Sequence, residues 1–249
     1  MANLPPVSFQ RNAVNPVECI KGGWNLIKGQ YWLIFGMAIV AWMIGAAIPF
    51  GILVGPMMCG MFLAFFKMRR GEAIEFATLF KGFDYFAPSV IATLLHIVPV
   101  LFIVIPAYLF FYVFFFVAIV AQGGGEPNPV AFFTIMALFA LFWIVVLAVV
   151  MIVSIGFTFV YPLIVDRRIQ GFDAVKLSFK AAMANFWRLL GLIMLNFLLS
   201  LVGLLLCFVG VYFLIPVGYA ALAIAYEQVF GLSDPRDFAN VPPPPPVFN

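Results

Sequence analysis

Few of the 249 residues in this chain are of a type that does chemistry. Its one histidine, His96, lies inside a long apolar run. Alone it can complete neither a metal site of usual ligand count nor a catalytic triad. Two readings stay open for it. An ionisable group is costly inside a membrane and so marks a functional position, or the ring is neutral and hydrogen-bonded to Thr93 or a carbonyl. Cys19, Cys59 and Cys207 are far apart, lack metal-ligand spacing and are odd in number, so free thiols are expected. Asn196, close to Ser200, is a neutral polar residue in mid-run, and a hydrogen bond across to another helix is its expected use. Tyr212 and Tyr219 could line a path between helices. Glu227 stands near the end of the last apolar run, where snorkelling or a loop partner would satisfy it. No Asp, Glu, Lys or Arg falls in the middle of an apolar run, where proton-coupled carriers and voltage sensors need them. No catalytic set, metal site or cofactor site emerges, and the chain is read as non-enzymatic.

The elements that carry these residues are built for lipid. Hydrophobic residues make up 65% of the chain and charged residues 9%, against about 25% charged in a soluble domain. Such a chain cannot clothe a water-facing surface, so it is an integral membrane protein. A net charge of +3 is too small to imply a nucleic-acid partner. The opening segment is polar and proline-bearing, so no cleaved signal peptide is expected and the first span does the targeting.

Apolar runs of spanning length fall at Tyr31–Ile48, Pro49–Phe66, Pro88–Ala121, Val130–Val165, Phe186–Cys207 and Val209–Phe230. They are continuous, without period-two alternation, which predicts an all-α polytopic protein with six transmembrane helices in three hairpins. The N-terminal segment (1–15), one transmembrane domain (16–230) and a proline-rich tail (231–249) complete the layout.

All 13 cations lie ahead of the first run, in or at the edge of the second-to-third and fourth-to-fifth loops, or in the tail, while the opposite-side connections hold only Glu126. By the bias of cytoplasmic loops toward Lys and Arg, both termini are expected to be cytoplasmic. Lys21, Lys28, Arg69, Arg70, Arg167, Arg168, Lys176 and Lys180 are the candidates to meet anionic lipid headgroups there.

The third and fourth runs, at 34 and 36 residues, would make helices of about 50 Å. They must tilt, kink or protrude, with Pro99, Pro106 and Pro162 as the kink points. A phenylalanine block (Phe110, Phe111, Phe114, Phe115, Phe116) faces lipid and neighbouring helices, or a contact with another subunit. Gly51 and Gly55 fit the four-residue rule for close helix approach, whereas Gly203 and Gly210 do not. Gly123-Gly124-Gly125 is read as a flexible outer turn. Pro242 to Pro246 favours a stiff polyproline II rod, either a spacer or a docking segment.

Sliding the chain on itself by 155 positions brings Val17, Ile20, Lys21, Trp24, Tyr31, Trp32 and Gly36 onto Phe172, Val175, Lys176, Phe179, Phe186, Trp187 and Gly191. Each copy reads as an amphipathic helix on the cytoplasmic leaflet, closed by an aromatic pair and feeding a hairpin. A weaker third copy carries the stripe Phe76, Leu79, Phe83, Phe86. The units are 16–68, 72–165 and 171–230, all entering from one side. That makes the repeats parallel, which weighs against an inverted-repeat carrier.

The stretch Tyr161-Pro162-Leu163-Ile164-Val165-Asp166-Arg167-Arg168, through Ala174-Val175-Lys176-Leu177-Ser178, to Asn185-Phe186-Trp187 resembles a pattern in several bacterial membrane families. One is the membrane domain attached to some glycerophosphodiester phosphodiesterases; others are stand-alone six-span proteins of uncharacterised function. The pattern is a proline-ended span, a basic turn, a surface helix with a small hydroxyl residue, then Asn-Phe-Trp entering the next span. The resemblance covers residues 160–230 and implies fold and a bacterial cytoplasmic membrane. It carries no phosphodiesterase activity, since that catalytic domain is absent from this chain. The expected function is association with membrane proteins or lipids, as an assembly, scaffold or accessory subunit. A protein partner or a second copy would cover the Phe-rich helices. The alternative is a transporter or channel for a small neutral or lipidic substrate, lined by His96, Asn196 and Tyr219.

Overall fold

The structure, a computed structural model, describes residues 8–47, 51–121, 129–205 and 209–233. Among them every regular element is helical. In chain order these are α1 (Pro16–Ile27), α2 (Tyr31–Ala47), α3 (Val54–Arg69), α4 (Phe86–Ala121), α5 (Pro129–Gly156), α6 (Val160–Arg167), α7 (Gly171–Ala184), α8 (Phe186–Leu205) and α9 (Val209–Phe230). Tighter 3-10 segments occupy Lys28–Gln30 and Phe76–Tyr85. Five helical stretches are long and apolar enough to cross a membrane: Pro16–Ala47, Phe76–Val117, Phe132–Arg167, Phe186–Leu205 and Gly210–Phe230. The second apolar run forms α3, whose 16 residues fall short of the roughly 20 that a full crossing takes. Glu126, the glycine triplet at 123–125, Cys207 and the tail prolines lie outside the described residues.

Local chemistry sets the helix ends. Asn15 caps α1 by accepting from the Glu18 amide at 3.4 Å, and Pro16 and Glu18 occupy the first turn, where neither a missing N–H nor a negative charge is penalised. Lys67 and Arg69 sit in the last turn of α3, near the negative end of its dipole. The fourth apolar run does not bend at Pro162 as its sequence predicts. It breaks at Phe157–Phe159, and Pro162 falls in the first turn of α6, where amides lack intrahelical partners anyway. Pro99 and Pro106 both lie inside the uninterrupted helix α4.

The described chain divides into two compact units, His96–Ser154 and the remainder. The core of the larger unit is aromatic. Phe62, Phe65 and Phe66 of α3 are buried, and Phe66 meets Tyr226 of α9 with ring centroids 5.4 Å apart. Tyr226 also stacks on Phe230 at 5.1 Å. Helix α1 shows two apolar faces. Cys19, Gly23 and Ile27 are buried, with Gly23 so close to α9 that a Cβ would stand 2.6 Å from the Ala221 nitrogen. The predicted stripe, by contrast, leaves Val17 and Trp24 exposed.

Backbone crosses backbone where α3 meets the Phe76–Tyr85 segment. A Cβ on Gly60 would strike the Leu79 carbonyl, and one on Gly82 the Pro56 carbonyl. Spacing in sequence misjudged the other close approach. Gly203 and Gly210 face each other from α8 and α9, where a Cβ on Gly203 would lie 2.9 Å from the Gly210 carbonyl carbon. Gly55 packs instead against Ser89 of α4, and Gly51 serves a turn at φ +60°.

The smaller unit pairs the inner parts of α4 and α5 through rings. Phe111 meets Phe139 at 4.3 Å and Tyr108 meets Trp143 at 4.7 Å. Other rings of the same helices point outward: Phe102, Phe116 and Phe133 are 78%, 69% and 70% exposed.

Candidate functional site

Among the described residues a polar cluster gathers where α3, α6 and α9 end. Its centre is Asp166, whose side chain is fully buried. The Tyr226 hydroxyl donates to Oδ2 at 2.8 Å. The Ser233 hydroxyl donates to Oδ1 at 2.7 Å, and the Ser233 amide reaches both oxygens at 3.2 and 3.3 Å. Arg70 pairs with Oδ1 at 3.3 Å and also donates to the Ser233 carbonyl at 3.0 Å. The Arg167 Nε lies 3.1 Å from Oδ2 but is not aimed at it, and it makes no hydrogen bond. Its other nitrogen, Nη2, caps the end of α9 by donating to the Phe230 and Gly231 carbonyls at 2.9 and 3.1 Å. A carboxylate taken out of water needs this many donors, or its desolvation would unfold the site.

Beside it, Arg69 forks onto Glu227, with Nε to Oε2 at 2.6 Å and Nη2 to Oε1 at 2.9 Å. These bonds raise the Arg69 pKa above its ordinary value. Glu227 is thus held by a residue of the last turn of α3. The eight basic candidates thus sort by type. Arg69, Arg70 and Arg167 are drawn into ion pairs, and Arg168 lines a small cavity together with Tyr85 and Asp166. Lys21, Lys28, Lys176 and Lys180 stay exposed, with Lys28 donating only to Asn25 at 3.2 Å. A planar guanidinium matches a carboxylate bidentately, whereas an ammonium keeps its water.

The intramembrane candidates separate. His96 Nε2 lies 3.3 Å from the Ser154 hydroxyl within the smaller unit; Thr93 bonds to the Ser89 carbonyl and to Tyr161 instead. Asn196 does not reach another helix with its amide, which donates to its own Leu192 carbonyl at 3.2 Å, while Ser200 donates to the Asn196 carbonyl at 2.9 Å. Its Oδ1 lies against Gly218 of α9. Asn196, Ser200 and Tyr219 do share a cavity of about 250 Å³ between α8 and α9. Tyr219 also walls a second cavity of about 320 Å³ between α2, α3 and α9. Tyr212 stands exposed against Trp42. Among the described residues, no three His, Cys, Asp or Glu side chains gather as a metal site would require.

Sequence reasoning missed Asp166, Tyr226 and Ser233 as one cluster. The available signal was an acid directly ahead of Arg167-Arg168 at the end of an apolar run. Two residues of the quoted pattern prove structural. Ser178 bridges the break between α5 and α6, donating to the Gly156 carbonyl at 2.6 Å and accepting from the Phe159 amide at 3.1 Å. Asn185 clamps the N-terminal segment, donating to the Gln10 carbonyl at 3.0 Å and accepting from the Ala13 amide at 2.9 Å. No family model, curated protein or solved structure matches the chain.

Proposed function

We propose that the chain is a non-enzymatic integral protein of a bacterial cytoplasmic membrane that works by association with other membrane proteins and with lipids. One observation carries this reading. In the most apolar part of Phe76–Val117 and of Phe132–Arg167 only 6% of residues are buried, against 50% in Gly210–Phe230. Two long helices rich in outward aromatic rings offer large apolar area to a neighbour. A photoreactive phenylalanine at Phe116 or Phe133, activated in native membranes, should give a discrete protein adduct, while one at buried Phe62 should give none. Adducts to lipid alone at both outward positions would overturn the protein-partner reading.

The finer layout is six spans in three hairpins, both termini cytoplasmic, with parallel repeats. It is supported by helix starts that recur 155 positions apart: Pro16 and Gly171, Tyr31 and Phe186, Val54 and Val209. As a sixth span α3 would need local thinning of the bilayer, with Lys67 and Arg69 snorkelling at its end. The resemblance over residues 160–230 is taken as one of architecture. Exposed Lys21, Lys28, Lys176 and Lys180 suit anionic headgroups.

A second reading, transport of a small neutral or lipidic substrate, draws on Tyr219, the shared wall of two cavities. Substrate flux into liposomes that is abolished by Asn196→Leu would favour it; of the three residues named for such a path, Asn196 and Tyr219 line these cavities.

A further inference from the structure

Asn196 and Tyr219 stand near the middle of Phe186–Leu205 and Gly210–Phe230, two stretches long and apolar enough to cross a membrane. Both line the cavity of about 250 Å³ between α8 and α9, together with Ser200. The hydrogen bonding of this trio is incomplete. The Asn196 amide nitrogen donates to the Leu192 carbonyl, and the Ser200 hydroxyl donates to the Asn196 carbonyl. Among the described residues, the Asn196 Oδ1 accepts nothing and the Tyr219 hydroxyl makes no hydrogen bond. Oδ1 lies against Gly218, where a Cβ would stand 3.2 Å away, so a side chain there would cover the acceptor.

In hydrocarbon an unpaired donor and an unpaired acceptor each cost free energy that no water is present to relieve. The rest of the wall is apolar. Ile193, Leu199, Leu214 and Leu222 line it and are half-buried, which leaves the cavity open toward the surrounding lipid. Among the described residues that line it, none is charged. A phosphate or carboxylate there would lose its hydration without gaining a counter-charge. A hydroxyl group both donates and accepts, and so matches one open acceptor and one open donor.

We propose that this cavity binds one neutral lipid alcohol, either a diacylglycerol or a single-chain long-chain alcohol. Its hydroxyl donates to the Asn196 Oδ1 and accepts from the Tyr219 hydroxyl. The volume lies just under the roughly 300–1,000 Å³ of small-molecule sites, so it holds the polar end and the start of a chain. The remainder of the chain lies among the lipid tails. At mid-membrane depth the site suits a polar group that can leave the interface, which a charged headgroup does only at high cost. The inference rests on the transport reading for its cavity and adds the ligand class. It asks for binding alone, so a ligand that binds without crossing leaves it standing.

The test is native mass spectrometry of the full chain in neutral detergent, titrated separately with dioleoylglycerol, hexadecanol and hexadecyl methyl ether. A saturable one-to-one adduct with at least one alcohol is expected. The ether, which accepts but cannot donate, should bind at least about fivefold more weakly than hexadecanol, as an acceptor left unpaired implies. Tyr219→Phe should weaken alcohol binding by a similar factor at an unchanged melting temperature, since its hydroxyl has no hydrogen bond within the described chain to lose. Tyr212→Phe, at an exposed tyrosine of the same helix, should leave binding unchanged. Binding of dioleoylglycerol alone identifies a glycerolipid ligand; binding of hexadecanol alone identifies a single-chain alcohol. Absence of a saturable adduct with either alcohol overturns the proposal, as does an ether that binds as tightly as hexadecanol or a Tyr219→Phe variant that binds like the parent chain. Displacement of the alcohol by phosphatidylglycerol would overturn the assignment of a neutral ligand. Binding in detergent without flux in liposomes would remove the transport reading and leave this site in place.

Discussion

The Tyr226 hydroxyl and the Asp166 carboxylate meet at 2.8 Å, joining the last turn of α9 to the end of α6 across 60 positions of chain. Both side chains are buried, and the ring that carries the hydroxyl packs between Phe66 and Phe230. The contact therefore couples the aromatic core to the polar cluster, and α3 joins the same cluster through Arg70.

Asp166→Asn should be among the most destabilising isosteric changes in the chain. It keeps the shape but leaves Arg70 and Arg167 without their counter-charge, at about 3 kcal/mol for breaking a buried pair. Tyr226→Phe, which removes one bond to a charged acceptor, should lose about 2 kcal/mol. Arg69→Ala removes a pair whose side chain is about half exposed, so the loss should stay under about 1 kcal/mol. Unfolding in mixed micelles would rank the three, and a larger loss in the Arg69 variant would contradict the burial argument.

Ser178→Ala should open the break between α5 and α6. The buried Phe159 amide and Gly156 carbonyl would lose their shared partner, at about 1–3 kcal/mol. Hydrogen exchange should then quicken at the Phe159 amide before it does so in α9. Unchanged protection at Phe159 would show that the hydroxyl is dispensable.

Glycine substitutions should split by location. Gly60→Ala places a methyl group against the Leu79 carbonyl, so it should cost about 3 kcal/mol or more and lower expression in the membrane. Gly29→Ala meets nothing within 4 Å and should be neutral or stabilising by up to about 1 kcal/mol. Melting temperatures of the two purified variants decide the matter.

Replacing Lys21, Lys176 and Lys180 together by Gln should loosen binding to anionic lipid by up to about 1 kcal/mol per charge, and the effect should fade as salt is raised. Folding should be unaffected, since all three are exposed. Equal retention of anionic lipid by the triple variant and the parent chain would remove these lysines from the lipid-binding surface.

What the sequence determined by itself is the class of solvent and the class of structure. Apolar runs with so little charge can satisfy their backbone in lipid only as helices, and the run boundaries at Tyr31, Phe186, Val209 and Phe230 recur as helix ends. Local signals such as Asn15-Pro16 before α1 were legible for the same reason, because a cap acts within one turn. Partner choice was not. Val17 and Trp24 form an obvious stripe, yet the face of α1 that packs on α9 is the one with Cys19, Gly23 and Ile27. Close packing selects for small side chains, and a hydropathy stripe does not register them. Nor could spacing bring Arg70, Asp166, Tyr226 and Ser233 together or pair Gly203 with Gly210, because these meetings depend on how helix ends converge in three dimensions. Only the tertiary structure decided which cations turn inward to a buried carboxylate and which remain exposed.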